Sequence, residues 1–253
     1  YVQEDWNLAH NLNIVAGVRA DYHEKYHWHL TPKISALWRF REYFTFRAGY
    51  AQGFRSPSLK ELYMNYDMGG LGMFMIYGNS DLKPETSNQV SLSGEYTKGG
   101  FNMSVSFSHN RFKNKIAYTS LGDDSSDMQY VNAENAKTSA WETILRYRFG
   151  FGLILTGSYA YTNDYMEVDG RNASLVRPHA LIFNAMYTRK FGKIGFNCSL
   201  NGQWGSKFDT YSRSLNDDAT YSYKKITYDA RTLCSLNAGV TLPKGISFNI
   251  GVD

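Results

Sequence analysis

Apolar and polar residues alternate along most of this chain. Between 101 and 109 the apolar positions are Phe101, Met103, Val105 and Phe107, with Asn102, Ser104, Ser106 and Ser108 between them. Between 194 and 204, Ile194, Phe196, Cys198, Leu200 and Trp204 alternate with Gly195, Asn197, Ser199, Asn201 and Gln203. A period of two places the two sets on opposite faces of a strand, one apolar and one small and polar. The pattern predicts about eleven strands: 5–22, 31–40, 43–53, 87–97, 101–119, 127–149, 151–164, 178–190, 193–207, 224–242 and 245–253. Most exceed the roughly five or six residues usual in soluble proteins. They match or exceed the ~9–11 residues that a tilted strand needs to cross a bilayer.

The connections alternate in length. Short ones fall near 41–42, 98–100, 150, 191–192 and 243–244; long ones run over 23–30, 54–86, 120–126, 165–177 and 208–223. Outer-membrane barrels show this asymmetry, with tight periplasmic turns and longer outer loops. Aromatics crowd the tight-turn ends: Phe40, Tyr43 and Phe44 at the first, Tyr96 and Phe101 at the second, Tyr147, Phe149 and Phe151 at the third, Tyr187 and Phe191 at the fourth. A membrane interface favours rings with an apolar body and a wet edge. A soluble sandwich gives no reason to place them at one end of every hairpin. The expected fold is therefore all-β, part of an antiparallel transmembrane β-barrel. A soluble all-β binding domain is the alternative.

Composition agrees with a barrel. The chain has 253 residues, 43% hydrophobic and 16% aromatic, and a mean hydropathy of −0.45. No apolar run approaches the ~18 residues of a membrane helix. A barrel needs none, because only its outward face must be apolar. The 27 Lys and Arg against 23 Asp and Glu are too evenly matched to imply nucleic acid. The chain opens inside one predicted strand and stops inside another, and no signal peptide or initiating Met is seen. Eleven is an odd count, whereas bacterial single-chain barrels use an even one. The expectation is that residues 1–253 are a fragment of a single barrel domain, with two unpaired edges.

Cys198 and Cys234 lie on the apolar phase of strands joined by one loop, about equally far from its middle. They are either a cross-strand pair or two small lipid-facing hydrophobes. Glu142, Arg146 and Arg148 share the inward phase of another strand. They would either line an anion-tolerant interior or form salt bridges facing a plug, the favoured reading. No Ser, His and Asp are spaced to seat a nucleophile beside an oriented base, so no enzyme is expected.

The longest connection reads Ala51-Gln-Gly-Phe-Arg-Ser-Pro-Ser-Leu-Lys-Glu-Leu-Tyr63 and later Tyr77-Gly-Asn-Ser-Asp-Leu-Lys-Pro-Glu85. Here the sequence resembles the TonB-dependent outer-membrane receptors. Gly53, Phe54, Arg55 and Pro57 are similar to their Phe-Arg-Ala-Pro box, with Ser56 in place of Ala. Glu61 and Tyr63 follow. Gly78, Asn79 and Leu82 resemble the Asn-Pro-x-Leu box, with Ser80 in place of Pro, and Pro84 and Glu85 come after. Upstream, 16–21 and 31–35 resemble the strands before the first box. Arg55 is a rigid, permanently charged fork, with Glu61 and Glu85 as candidate partners. Pro57 and Pro84 end strand pairing. These residues are expected first to brace a folded outer loop and second to touch a ligand.

The resemblance implies a barrel of 22 strands, an N-terminal plug with a TonB box that is absent from this chain, and energised import of a scarce, bulky small-molecule nutrient. The partners it implies are outer-membrane lipid and, through the missing plug, the TonB complex. A resident cofactor or metal is not expected. The favoured cargo is haem or another iron chelate; siderophore, cobalamin and oligosaccharide cargoes, or a passive porin, stay open. Haem-receptor members carry a ligating His between the two boxes, and this chain has none there. It has Met64, Met68, Met73 and Met75 with Tyr63, Tyr66 and Tyr77, and both Met and Tyr can ligate haem iron. The alternative is that these methionines pack a loop core. A second candidate group is His23, His27 and His29, the last two projecting to one side if that stretch is extended. His10, His109 and His179 stand alone and receive no role.

Overall fold

The computed structural model describes residues 1–68, 70, 74–121, 127–168, 170–216 and 221–253. The chain begins with a hairpin, β1 (Val2–Ala9) and β2 (Leu12–His23), followed by β3 (His27–Phe40) and β4 (Phe44–Arg55). A short helix α1 (Leu59–Tyr63) and the small strands β5 (Asn65–Asp67) and β6 (Met75–Tyr77) precede β7 (Glu85–Lys98) and β8 (Phe101–Lys113). Then come β9 (Ile116–Ser120), β10 (Met128–Asn132), β11 (Asn135–Arg148), β12 (Leu153–Val168) and β13 (Arg171–Asn172). The chain continues with β14 (His179–Phe191), β15 (Ile194–Gly205), β16 (Phe208–Leu215) and β17 (Tyr221–Tyr228). It ends with β18 (Arg231–Thr241), a 3-10 turn at Pro243–Gly245, and β19 (Ser247–Val252).

Twelve of these strands form one antiparallel wall in the order β1-β2-β3-β4-β7-β8-β11-β12-β14-β15-β18-β19, with β13 pairing β12. The partial barrel expected from the sequence is therefore present, and β1 and β19 end the order without pairing each other. The wall has one strand more than the eleven predicted. The predicted strand 5–22 is a hairpin turning at His10 and Asn11. A two-residue turn preserves parity, so the alternation runs through it unbroken. Three other predicted strands are also divided, one of them 224–242, whose first part belongs to β17 and whose remainder is β18. The stretch 101–119 breaks at Asn114, which takes a left-handed backbone (φ 57°), and 127–149 breaks between β10 and β11. The loops at 54–86 and 208–223, expected to lack strands, hold α1, β5 and β6 in one and the β16–β17 hairpin in the other.

The ladder registers place the apolar set on one face. Trp38, Phe46, Leu92, Phe107 and Trp141 line one outward depression across five strands. Leu145, Tyr159, Leu181, Phe183 and Trp204 line a second. The opposite face is hydrogen-bonded: Arg47 meets Glu95 at 3.3 Å, Asn102 donates to Glu95 at 2.9 Å, and Asn184 donates to Asn201 at 2.5 Å. Glu142, Arg146 and Arg148 lie on that inward phase. Fully buried apolar side chains lie at the outer end instead of along the wall. Ala117, Ala133 and Val168 cluster with Val131, Met166 and Ala173, and Leu62 and Leu82 are buried in the segment between β4 and β7.

Register decides between the two readings of the cysteines. Cys198 faces Ala238 and Cys234 faces Gly202. Four residues along a strand separate them by roughly 13 Å, well beyond bridging distance. Both are free thiols on the outward phase.

The face assignment has a direct consequence in the full-length receptor. Phe183→Arg should destabilise the barrel by about 2–4 kcal/mol in vesicle refolding titrations, the cost of an arginine near the bilayer midplane. Asn184→Arg, one residue along and inward, should cost clearly less. Equal losses would mean that the faces are misassigned.

Candidate functional site at the outer end of the wall

Strands β4 and β7 pair along their whole length, from Phe44–Tyr96 to Arg55–Glu85. The last pair brings the two family boxes together. Pro57 follows β4 and Pro84 precedes β7, so the ladder stops there for lack of a donor. Arg55 is the hub. One guanidinium nitrogen donates to both Glu61 oxygens at 2.9 Å, and the other donates to Glu85 at 2.9 Å. Glu85 also accepts the Ile116 N–H at 3.1 Å. One cation thus joins the wall, α1 and the start of β9.

Helix α1 exists because Ser58 and Glu61 form a reciprocal capping box. Ser58 N–H donates to the Glu61 carboxylate at 2.7 Å, and Glu61 N–H donates to the Ser58 hydroxyl at 3.3 Å. Such a box satisfies two otherwise orphaned donors at a helix start. Burial alone would raise the Glu61 pKa, but hydrogen bonds from Ser58 and Arg55 outweigh it and hold the carboxyl below its ordinary value.

The second box is docked by backbone. Gly78 N–H donates to Met64 O at 2.6 Å, and Asn79 N–H donates to Glu61 O at 2.8 Å. A Cβ on Gly78 would lie 2.5 Å from Tyr63 N and 2.6 Å from Met64 N. Only glycine allows that approach. The Asn79 side chain donates to Tyr130 O at 3.0 Å and accepts from Asp81 N–H at 2.9 Å. Leu82 is 2% exposed, and its carbonyl accepts the Tyr26 hydroxyl at 2.8 Å. Lys25 donates to Ser80 O. Around this knot β5, β6, β10 and β9 form a four-stranded sheet in which β6 and β10 run parallel.

The candidate ligand residues divide. Tyr63, 65% exposed, and Met68, 56% exposed, face solvent. Met64, Met75 and Tyr77 are half-buried in the helix cap and β6. Met73 lies outside the described residues. His27 and His29 share the inward phase of β3, as the extended reading requires, and His23 pairs with His27. They do not form one open cluster. The His29 ring stacks on Phe54 at 3.9 Å between centroids, and one of its nitrogens lies 3.0 Å from Tyr26 O. His23 Nδ1 accepts the Lys25 N–H at 3.1 Å. With Arg19, Asp21, Lys33 and Arg55, His23 lines a recess of about 710 Å³.

Residues outside the boxes complete the knot. Asn132 accepts Lys83 N–H at 2.8 Å and donates to Lys83 O at 3.0 Å and Asn114 O at 2.8 Å. Met75 N–H donates to Asp127 at 2.9 Å. These partners lie 18 to 52 residues from what they hold, and no local pattern marks them. The capping box was legible: Ser58 and Glu61 stand at the required spacing.

Comparison with known proteins follows this geometry. Residues 1–253 match a family model described as TonB dependent receptor-like, beta-barrel. The iron-regulated outer membrane virulence protein of Vibrio cholerae is 31% identical over 175 residues, covering 64% of this chain and 26% of that protein. The ferric enterobactin receptor PirA of Pseudomonas aeruginosa is 27% identical over 157 residues, covering 56% and 21%. Among solved structures, the siderophore receptor PirA from Acinetobacter baumannii matches with a TM-score of 0.77 at 19% identity, over 98% of this chain and 40% of that one. The FrpB iron transporter from Neisseria meningitidis gives 0.72 at 15% identity, over 98% and 39%. At such identities the structures show the fold alone. The chain spans about 26% of the Vibrio relative's length.

The knot makes two predictions for the full-length receptor. Gly78→Ala should open the 56–84 segment to proteolysis while the barrel keeps its heat-modifiable gel mobility; unchanged protection would show that the close approach is not needed. The pH dependence has a definite sign. With its pKa depressed in the fold, Glu61 contributes stability above its unfolded value near 4.5, and that contribution is lost as pH falls through the folded value. Proteolysis of this segment should therefore rise below about pH 4.5, and Glu61→Gln should remove that step.

Proposed function

The chain belongs to the TonB-dependent receptors of the Gram-negative outer membrane, and from that premise we propose that the complete protein captures a ferric siderophore at the cell surface. Import is then driven by energy passed through TonB to a plug carried elsewhere in the protein. The family consists of receptors and transporters, not enzymes. The observation that carries this cargo class is the naming of the relatives found by sequence, which include a ferric enterobactin receptor and an iron-regulated outer-membrane protein.

Haem, the cargo first favoured by the methionines, is the weaker reading. His29 is engaged with Phe54 and Tyr26 O, and Met64 and Met75 are half-buried. Within the outer loops, Tyr63 and Met68 are the candidate contacts with most exposed surface. The family-box residues Gly53, Arg55, Glu61, Gly78, Asn79 and Glu85 act as the brace that holds them.

The test is titration of the full-length receptor in detergent with ferric enterobactin and, separately, with haem, read by fluorescence quenching and Soret absorbance. The siderophore should bind saturably. Tyr63→Ala with Met68→Ala should weaken it by roughly tenfold, equivalent to about 1.4 kcal/mol. Saturable haem binding with a shifted Soret band, and none of the siderophore, would overturn the reading.

A further inference from the structure

The tight-turn end of the wall carries a charge pattern unlike the outer end. Each of its last five turns brings at least one cation: Arg41, Lys98, Arg148, Arg189 and Lys244. Glu42 is the single acidic residue in those turn segments (39–44, 97–101, 148–152, 189–194, 242–247). Among the described residues, several outer cations are engaged. Arg19 pairs with Asp21, Arg55 with Glu61 and Glu85, and Lys225 with Asp209. Arg177 donates to the Ser206 and Asp229 carbonyls. Among the described residues, none of the five turn cations has a carboxylate within ion-pair distance.

Three of them lie over aromatic rings. Arg41 lies 5.4 Å from the Phe40 centroid, Lys98 lies 5.0 Å from Tyr43, and Arg189 lies 5.4 Å from Phe191. Phe40 and Phe191 follow the outward, apolar phase of β3 and β14. Lys98 reaches Tyr43 because Thr97 N–H donates to Tyr43 O at 2.9 Å, which ties neighbouring turns together. The rings sit at the boundary of the apolar band, so the cations above them lie at headgroup depth.

Backbone geometry makes the same selection visible. Three tight turns give their left-handed position to glycine: Gly99 (φ 57°), Gly152 (φ 100°) and Gly192 (φ 60°). Two others place a cation in a left-handed position, Arg41 (φ 55°) and Lys244 (φ 73°), the latter followed by a left-handed Gly245 (φ 82°). Glycine adopts this conformation without steric cost and long side chains do not. At Arg41 a long cationic side chain stands where the other turns use glycine.

We propose that this rim binds anionic phospholipid headgroups of the periplasmic leaflet, with Arg41, Lys98 and Arg189 as the contacts. The charge is complementary, and the ring beneath each cation fixes its depth while leaving its N–H donors free for phosphate oxygens. The attraction falls off within a Debye length. A rim of this kind would seat the barrel at a fixed height and orientation in the membrane.

The test uses the full-length receptor, purified in detergent and exchanged against equal amounts of phosphatidylglycerol and phosphatidylethanolamine, with retained lipid counted by native mass spectrometry. The wild type should retain phosphatidylglycerol preferentially. Each cation near an anionic surface is worth roughly a five-fold gain in association. The triple variant Arg41→Asn, Lys98→Gln, Arg189→Gln should therefore lose at least about tenfold of the preference. Asn tolerates the left-handed turn, and heat-modifiable gel mobility confirms folding. A charge-matched control, Lys60→Gln, Lys83→Gln, Lys207→Gln, should keep the preference. Loss in both variants would reduce the effect to net charge and overturn the assignment. An absent preference, or one unchanged in the folded triple variant, would also overturn it and leave the cations to an acidic protein.

Discussion

Every backbone N–H and C=O that crosses hydrocarbon must be paired within the protein, because lipid offers no partner. The twelve-strand ladder is the answer to that constraint, and the rest of the molecule follows from it. Antiparallel pairing to an unbroken register forces the alternation of faces, so apolar and polar residues separate strand by strand. It also forces the connections into two sets at two levels. Tight turns need aromatics and snorkelling cations at one interface. Long loops, free of lipid, can build a core of their own at the other, and the buried Ala117, Ala133, Val168, Leu62 and Leu82 lie there.

The wall and the outer loops are joined at one ionic knot. Arg55 ends β4, and its guanidinium reaches Glu61 on α1 and Glu85 at the start of β7. The ladder cannot supply this junction, because Pro57 and Pro84 terminate it. A planar fork with fixed donors suits a site where three directions must be set at once, and a lysine would set one. Gly78 then brings the second box against α1 by backbone alone, which is why no side chain fits there.

Much of this was legible in the sequence, for physical reasons that also mark where reading stops. Period-two patterning gave the wall strands because lipid accepts only one face. It failed at His10 and Asn11 because a two-residue turn leaves parity intact, and at Asn114 because one left-handed residue breaks a strand without breaking alternation. Arg55, Glu61 and Glu85 were identifiable as partners from charge and from the prolines beside them. Tyr26, Asn114, Tyr130 and Asn132 were not, since each holds a carbonyl or amide across a fold that must exist before the contact has meaning. The choice between the two cysteine readings turned on register, which loop symmetry does not determine.

The brace and the candidate contacts divide the work of the outer site. Arg55 uses both terminal nitrogens on carboxylates, and Glu61 accepts from Arg55 and Ser58 together. Groups so fully engaged have little capacity left for cargo, and breaking them to bind would cost the junction. Leu59 and Tyr63, four residues apart, lie on one exposed face of α1, with Met68 close behind in sequence. Their backbone is fixed by the capping box and by Gly78, so fewer conformations need freezing when a ligand arrives. The rigidity of the family boxes thus holds Leu59, Tyr63 and Met68 exposed on a fixed backbone, while the brace residues spend their own polar groups on the junction.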